Sequence, residues 1–198
     1  ETRELALKLK QWSQHPKKWV EDMFGLVPQP VKPEFQEEMR RCIREMDWLG
    51  VKAEWFEPFV KGKNITWQQW CILESVSKAM RDQGPRRISV RSGHGIGKSC
   101  TCAWLMLWYL MCHYQAKIGC TAPSGDQLHD VLWTEARKWI EKMPEKIKAV
   151  YEWQNSYIRM AEQPETWWAR ARTARKENPE ALAGLHGEAV MLIVDEAS

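Results

Sequence analysis

The stretch Val90-Arg91-Ser92-Gly93-His94-Gly95-Ile96-Gly97-Lys98-Ser99 constrains this chain more than any other. It reads as an apolar strand, Arg87–Arg91, running into a glycine-rich turn that opens a helix. Gly93, Gly95 and Gly97 have no Cβ, so the backbone can curl and aim successive N–H groups into one hollow. The N-terminal end of the following helix adds positive potential there. Lys98 has the reach to meet β- and γ-phosphates, and the Ser99 hydroxyl suits Mg²⁺. The usual loop, G-x-x-x-x-G-K-[ST], begins with glycine, whereas this chain has Ser92. The expected phosphate cradle is Ser92, Gly93, His94, Gly95, Ile96, Gly97, Lys98, Ser99 and Cys100.

Nearly 100 residues later, Ala189 to Val194 forms a continuous apolar run that ends in Asp195 and Glu196. Such a run suits a buried parallel strand. Ligands in open α/β sheets sit at the carboxyl ends of strands, where this pair falls. Asp195 is the expected Mg²⁺ anchor, acting through water. Glu196 is the expected group that orients and deprotonates an attacking water.

The 198 residues, 44% hydrophobic and 28% charged, describe a globular domain with a core of useful size. A net charge of +3 is too small to argue for nucleic acid on its own. The six cysteines include no C-x-x-C pair and no zinc-like spacing with histidine, and read as reduced core thiols. Ala103–Cys112 is apolar but only about half a membrane span, and reads as the buried helix behind the loop. The thirteen tryptophans read mainly as packing groups.

Residues 1–64 read as a helical lead-in, with helices at Glu4–Trp12, Pro16–Phe24 and Glu34–Leu49 and a stiff break at Pro28–Pro33. Residues 65–198 read as the α/β part: a helix near Trp67–Asp82, the loop and its helix to Tyr114, and a strand at Lys117–Thr121. A long helix is expected from Ser124 to Met143. Tyr151–Met160 and Thr166–Thr173 read as an antiparallel pair, and a short helix is expected from Glu177 to about Gly184.

With both motifs in their context, the chain resembles the N-terminal ATPase domain of tailed-phage terminase large subunits. The resemblance covers about Ile65 to Ser198. It rests on Arg91–Ser99, on Thr121-Ala-Pro-Ser124 with Gln127 and Val131-Leu-Trp133, on Ala181-Leu-Ala-Gly-Leu-His-Gly187, and on Val194-Asp-Glu-Ala-Ser198. It implies a P-loop NTPase fold of the RecA/ASCE-like kind: a mostly parallel sheet flanked by helices, here ending just after the acidic strand. It implies ATP hydrolysis with Mg²⁺, coupled to moving double-stranded DNA into a procapsid. The implied partners are the small terminase subunit, the portal and further copies of the chain in a ring, in the cytoplasm of a bacterial host.

The resemblance also implies an adenine-contacting glutamine upstream of the loop. Gln69 fits that register best, with Gln68 the alternative. Some family members carry an arginine near the position of His94; here Arg91, just before the loop, is the substitute for sensing the γ-phosphate. Others place an arginine near Leu185-His186-Gly187 that acts on a neighbouring subunit, and Arg172 and Arg175 are weak candidates for it. Arg170, Arg172, Arg175 and Lys176 lie among Trp167 and Trp168, a pattern that reads first as a solvated strand face and second as a phosphate contact. The family continues past the acidic pair into further strands and a nuclease domain, so a fragment or a shortened prophage gene is expected. Two other readings stand beside this one: a helicase-like or repair ATPase, and a non-catalytic nucleotide-binding or interaction module.

Overall fold

The computed structural model describes residues 2–93, 95–122, 128–154, 157–173 and 185–195. The chain splits into two compact units: residues 14–98, and residues 1–13 together with 99–198.

In the unit of residues 14–98, α2 (Pro16–Phe24) starts on a proline, whose missing N–H costs a first turn nothing. It stops at Gly25, which adopts φ 66° and returns its N–H to the Glu21 carbonyl. A short parallel pair, β1 (Val27–Pro28) with β2 (Asn64–Ile65), brackets α3 (Gln36–Glu45). The last unit helix, α4 (Trp67–Met80), begins with a full capping box at Thr66 and Gln69. Met39, Cys42, Val51, Trp55, Phe56 and Cys71 pack into one core, with Trp67 and Trp70 against it. The Lys78 ammonium donates to the Ile43 and Arg44 carbonyls, putting a cation at the C-terminus of α3, the negative end of its dipole.

The other unit is built on α5 (Lys98–Cys112). All of its residues from Ala103 to Met111 are buried, as expected of a helix that is apolar all round. Three ring or hydroxyl donors fix it to its surroundings. Trp108 Nε1 donates to the Trp12 carbonyl of α1 (Thr2–Trp12) at 2.6 Å, Tyr151 Oη to Leu107 O at 3.0 Å, and Trp167 Nε1 to Leu110 O at 2.7 Å. Leu107 is fully buried. Leu107→Ala is expected to lower unfolding stability by about 2–5 kcal/mol, read as a shift of the urea midpoint.

The sheet of this unit contains β3 (Lys117–Ala122), β4 (Tyr151–Gln154), β5 (Tyr157–Met160), β6 (Trp168–Thr173) and β7 (Val190–Val194), in the order β4-β5-β6-β3-β7. β3 pairs parallel with β6 and β7, while β4–β5 and β5–β6 are antiparallel. The architecture is therefore α/β, but the sheet is mixed and not mostly parallel. Tyr151–Met160, expected as one strand, is two strands joined at residues 155–156. Only the second of them pairs with β6.

The strand expected at Arg87–Arg91 does not form. Residues 87–91 carry no regular structure and are exposed, with Ile88 and Val90 37% and 42% accessible. Two apolar side chains two residues apart define a strand face, but only a paired neighbour makes a strand. β7 is parallel as expected, yet among the described residues it lies at the end of the sheet and is half-exposed. Val190, Leu192 and Val194 are 38%, 51% and 50% accessible, whereas Ile193 is 8%. Its neighbour β3 turns Cys120 toward Met106 of α5, so one face is covered and alternate β7 residues are open among the described residues. Leu128–Trp133 continues as a π-helical segment into α6 (Thr134–Ile140). The expected N-cap Ser124 and the expected helix 177–184 lie outside the described residues.

His113, at the end of α5, stacks on Tyr109 with ring centroids 4.0 Å apart. Burial pushes its pKa below the usual 6.5, against smaller opposing effects of hydrogen bonds to Tyr109 and Ser13 backbone groups. The unfolded chain therefore binds this proton more readily than the folded one. Stability is expected to fall as pH drops through about 6.5 toward the lower folded value. His113→Gln should flatten that fall in melting-temperature scans across this range.

Candidate nucleotide site

The glycine-rich loop, up to Lys98, lies in the unit of residues 14–98. Gly95 and Gly97 both adopt φ 82°, a left-handed conformation that residues with a Cβ adopt only under strain. The loop thus turns twice in seven residues and delivers the chain to α5 at Lys98. Its residues are open: Arg91, Ser92, Gly93 and Gly95 are exposed, and Ile96 to Cys100 half-buried. Lys98 Nζ folds back and donates to the Ser92 carbonyl at 3.1 Å and to the Gly93 carbonyl at 3.0 Å. The ammonium is therefore held against the loop backbone by neutral acceptors, which bind a cation more weakly than a charged oxygen does. His94, between these residues, lies outside the described residues.

Behind the loop stands the first turn of α4. Gln69 is buried, 5% accessible, and its amide is engaged at both ends. Oε1 accepts from the Thr66 N–H at 3.1 Å and the Thr66 hydroxyl at 3.2 Å, while Nε2 donates to the Gly97 carbonyl at 3.3 Å. The structure thus brings together Gln69, Gly97, Lys98, Ser92 and Gly93 within one unit. Gln68, the alternative, is half-buried. The capping box was readable as Thr66-x-x-Gln69, the spacing at which a hydroxyl and an amide exchange hydrogen bonds with the backbone.

Ser99 and Asp195 belong to the other unit. The Asp195 N–H donates to the Thr121 carbonyl at 2.8 Å, carrying the parallel β3–β7 ladder one residue beyond the strand. Asp195 therefore emerges at the carboxyl end of a parallel pair, as expected. Its charge is felt by Cys102: burial pushes that thiol up to about 12, and the Asp195 carboxylate adds to the shift. Burial likewise raises Cys120, with Cys102 and Asp195 adding. Cys102 is three residues, just under one turn, past Ser99. Asp195 is thus within electrostatic reach of Cys102 in α5, the helix whose first turn carries Ser99. A hydroxyl and a carboxylate are hard oxygen donors of the kind Mg²⁺ takes, with phosphate and water completing its shell. Glu196 lies outside the described residues.

The remaining candidates divide in the same way. Arg91 is exposed. Trp167 and Trp168 are packing residues, 8% and 7% accessible, and the Arg170 guanidinium lies 4.1 Å over the Trp168 ring. Arg172 is in β6 at the register position of Thr121, while Arg175 and Lys176 lie outside the described residues. His186 is exposed and offers its carbonyl to Lys117 Nζ at 2.8 Å. None of the helices among the described residues is long and apolar enough to cross a membrane.

No family model matches the chain. It is 28% identical, over 172 residues, to the probable terminase large subunit of Enterobacteria phage P7, an alignment covering 80% of this chain and 33% of that protein. The chain spans about a third of the length of this curated relative. By that similarity the chain is related to a phage terminase large subunit.

Proposed function

We propose that this chain binds Mg-ATP and hydrolyses it as the ATPase part of a phage DNA-packaging motor. One observation carries the nucleotide reading: two left-handed glycines turn the loop, and Lys98 folds back onto its Ser92 and Gly93 carbonyls at the start of a buried helix. The similarity to a terminase large subunit supports the packaging role. In this reading the loop N–H groups and Lys98 hold the phosphates, and Ser99 and Asp195 hold Mg²⁺. The bound ion would neutralise charge on the phosphate oxygens. Glu196 orients the attacking water and accepts its proton, while Arg91 meets the γ-phosphate. Double-stranded DNA is the moved substrate, and the small subunit, the portal and sister copies in a ring are the partners.

One observation favours a second reading. Residues 87–91, which lead into the loop, are not paired with any described strand. A chain with this feature suits a module that binds nucleotide without turning it over. Mg-ATP binding by titration calorimetry, followed by phosphate release over time, separates the two. Binding with turnover supports the motor reading, and binding without turnover supports the module. Absence of binding removes both.

A further inference from the structure

Gln69 faces the loop with an amide that the protein itself already uses. A glutamine side chain offers two acceptor lone pairs and two N–H donors. Both lone pairs are taken by Thr66, at 3.1 and 3.2 Å, and one N–H by the Gly97 carbonyl at 3.3 Å. A single N–H is left, whereas a bidentate grip on an adenine edge needs a donor and an acceptor together. Gly97 is shaped to this contact: a Cβ there would stand 2.5 Å from Gln69 Nε2 and 3.2 Å from its Cδ. The carbonyl that Gln69 holds belongs to the peptide joining Gly97 to Lys98. In a planar trans peptide the C=O and N–H point in opposite directions. Fixing the Gly97 carbonyl toward α4 therefore fixes the Lys98 N–H away from it, as a donor on the far side of that peptide.

We propose that Gln69 is a positioning residue that sets the phosphate loop through Gly97 and does not read the base. The inference rests on residues 92–99 being a phosphate loop. It ties the start of α4 to the peptide preceding Lys98, so that one buried amide serves a helix cap and a loop donor together.

The test titrates Mg-ATP, Mg-GTP and inorganic tripolyphosphate into the wild-type chain, Gln69→Glu and Thr66→Ala. Gln69→Glu keeps an acceptor for Thr66 and so keeps the cap, but sets a carboxylate oxygen against the Gly97 carbonyl. Affinity for all three ligands should fall together, on the order of 10-fold, the loss of one hydrogen bond. The ATP-to-GTP ratio should not move. Thr66→Ala weakens the cap and the melting temperature but leaves the Gln69–Gly97 bond, and its affinities should stay near wild type. Were Gln69→Glu to weaken ATP alone and leave tripolyphosphate unchanged, Gln69 would be a base reader and the inference would fall. Affinity losses in Thr66→Ala equal to those in Gln69→Glu would reduce Gln69 to a helix cap and also overturn it. A wild-type chain that binds none of the three would remove the phosphate-loop reading, and this inference with it.

Discussion

Replacing Lys98 with alanine is expected to weaken Mg-ATP binding by about 100-fold or more while leaving the fold intact. Hydrogen bonds to charged groups contribute about 1.5–3 kcal/mol each. Loss of two such bonds to phosphate oxygens corresponds to at least about 100-fold in Kd. The fold should survive because the bonds Lys98 makes in the free chain, to the Ser92 and Gly93 carbonyls, are exposed and their acceptors can turn to water. The measurement is calorimetric titration of both proteins with a melting curve for each. A matched melting temperature with lost affinity assigns the loss to the ammonium. Unchanged affinity would mean that the loop of Gly95 and Gly97 is an ordinary double turn and that the nucleotide site lies elsewhere.

The parts of this protein that were legible in sequence are those whose local chemistry points one way. Nine successive buried residues in α5 follow from an unbroken apolar run behind the loop. The β3 strand came out at Lys117–Ala122, one residue longer than read. The glycines at 95 and 97 are where the backbone needs them. What was not legible depends on pairing between distant segments. Ile88 and Val90 promised a strand, but their backbone finds no partner among the described residues. The apolar run Val190–Val194 fitted a strand buried on both faces, and only the sheet order reveals it as a terminal strand with one covered face. The antiparallel pairing of β5 with β6 follows the expected pair, and the added β4–β5 pairing turns an expected mostly parallel sheet into a mixed one. Gln69 shows a different limit. Its amide serves a cap, a loop contact or a ligand with the same atoms, and only the positions of Thr66 and Gly97 show what it touches.

Glu196→Gln is expected to lower ATP turnover by about 10²–10⁴-fold with little change in Mg-ATP affinity, the scale of removing a general base. The register at the end of β7 bears on Asp195 alone. The Asp195 N–H still belongs to the ladder with Thr121, and its carboxylate is close enough to Cys102 and Cys120 to raise both thiols further. Asp195 is therefore within electrostatic reach of α5, the helix that carries Ser99, and in the proposed reading it is the group that would hold the metal. Glutamine at 196 keeps the size and a carbonyl acceptor for water but cannot take its proton. Asp195→Asn should instead raise the Mg²⁺ concentration needed for half-maximal ATP binding. The two variants are read in the same pair of experiments, a magnesium titration of ATP binding and a phosphate-release time course. A Glu196→Gln chain that hydrolyses ATP at the wild-type rate would remove Glu196 from the chemistry. If wild type and variant alike bind ATP and release no phosphate, the chain is a nucleotide-binding module. In that case its similarity to a terminase large subunit would describe its ancestry and not an activity of its own.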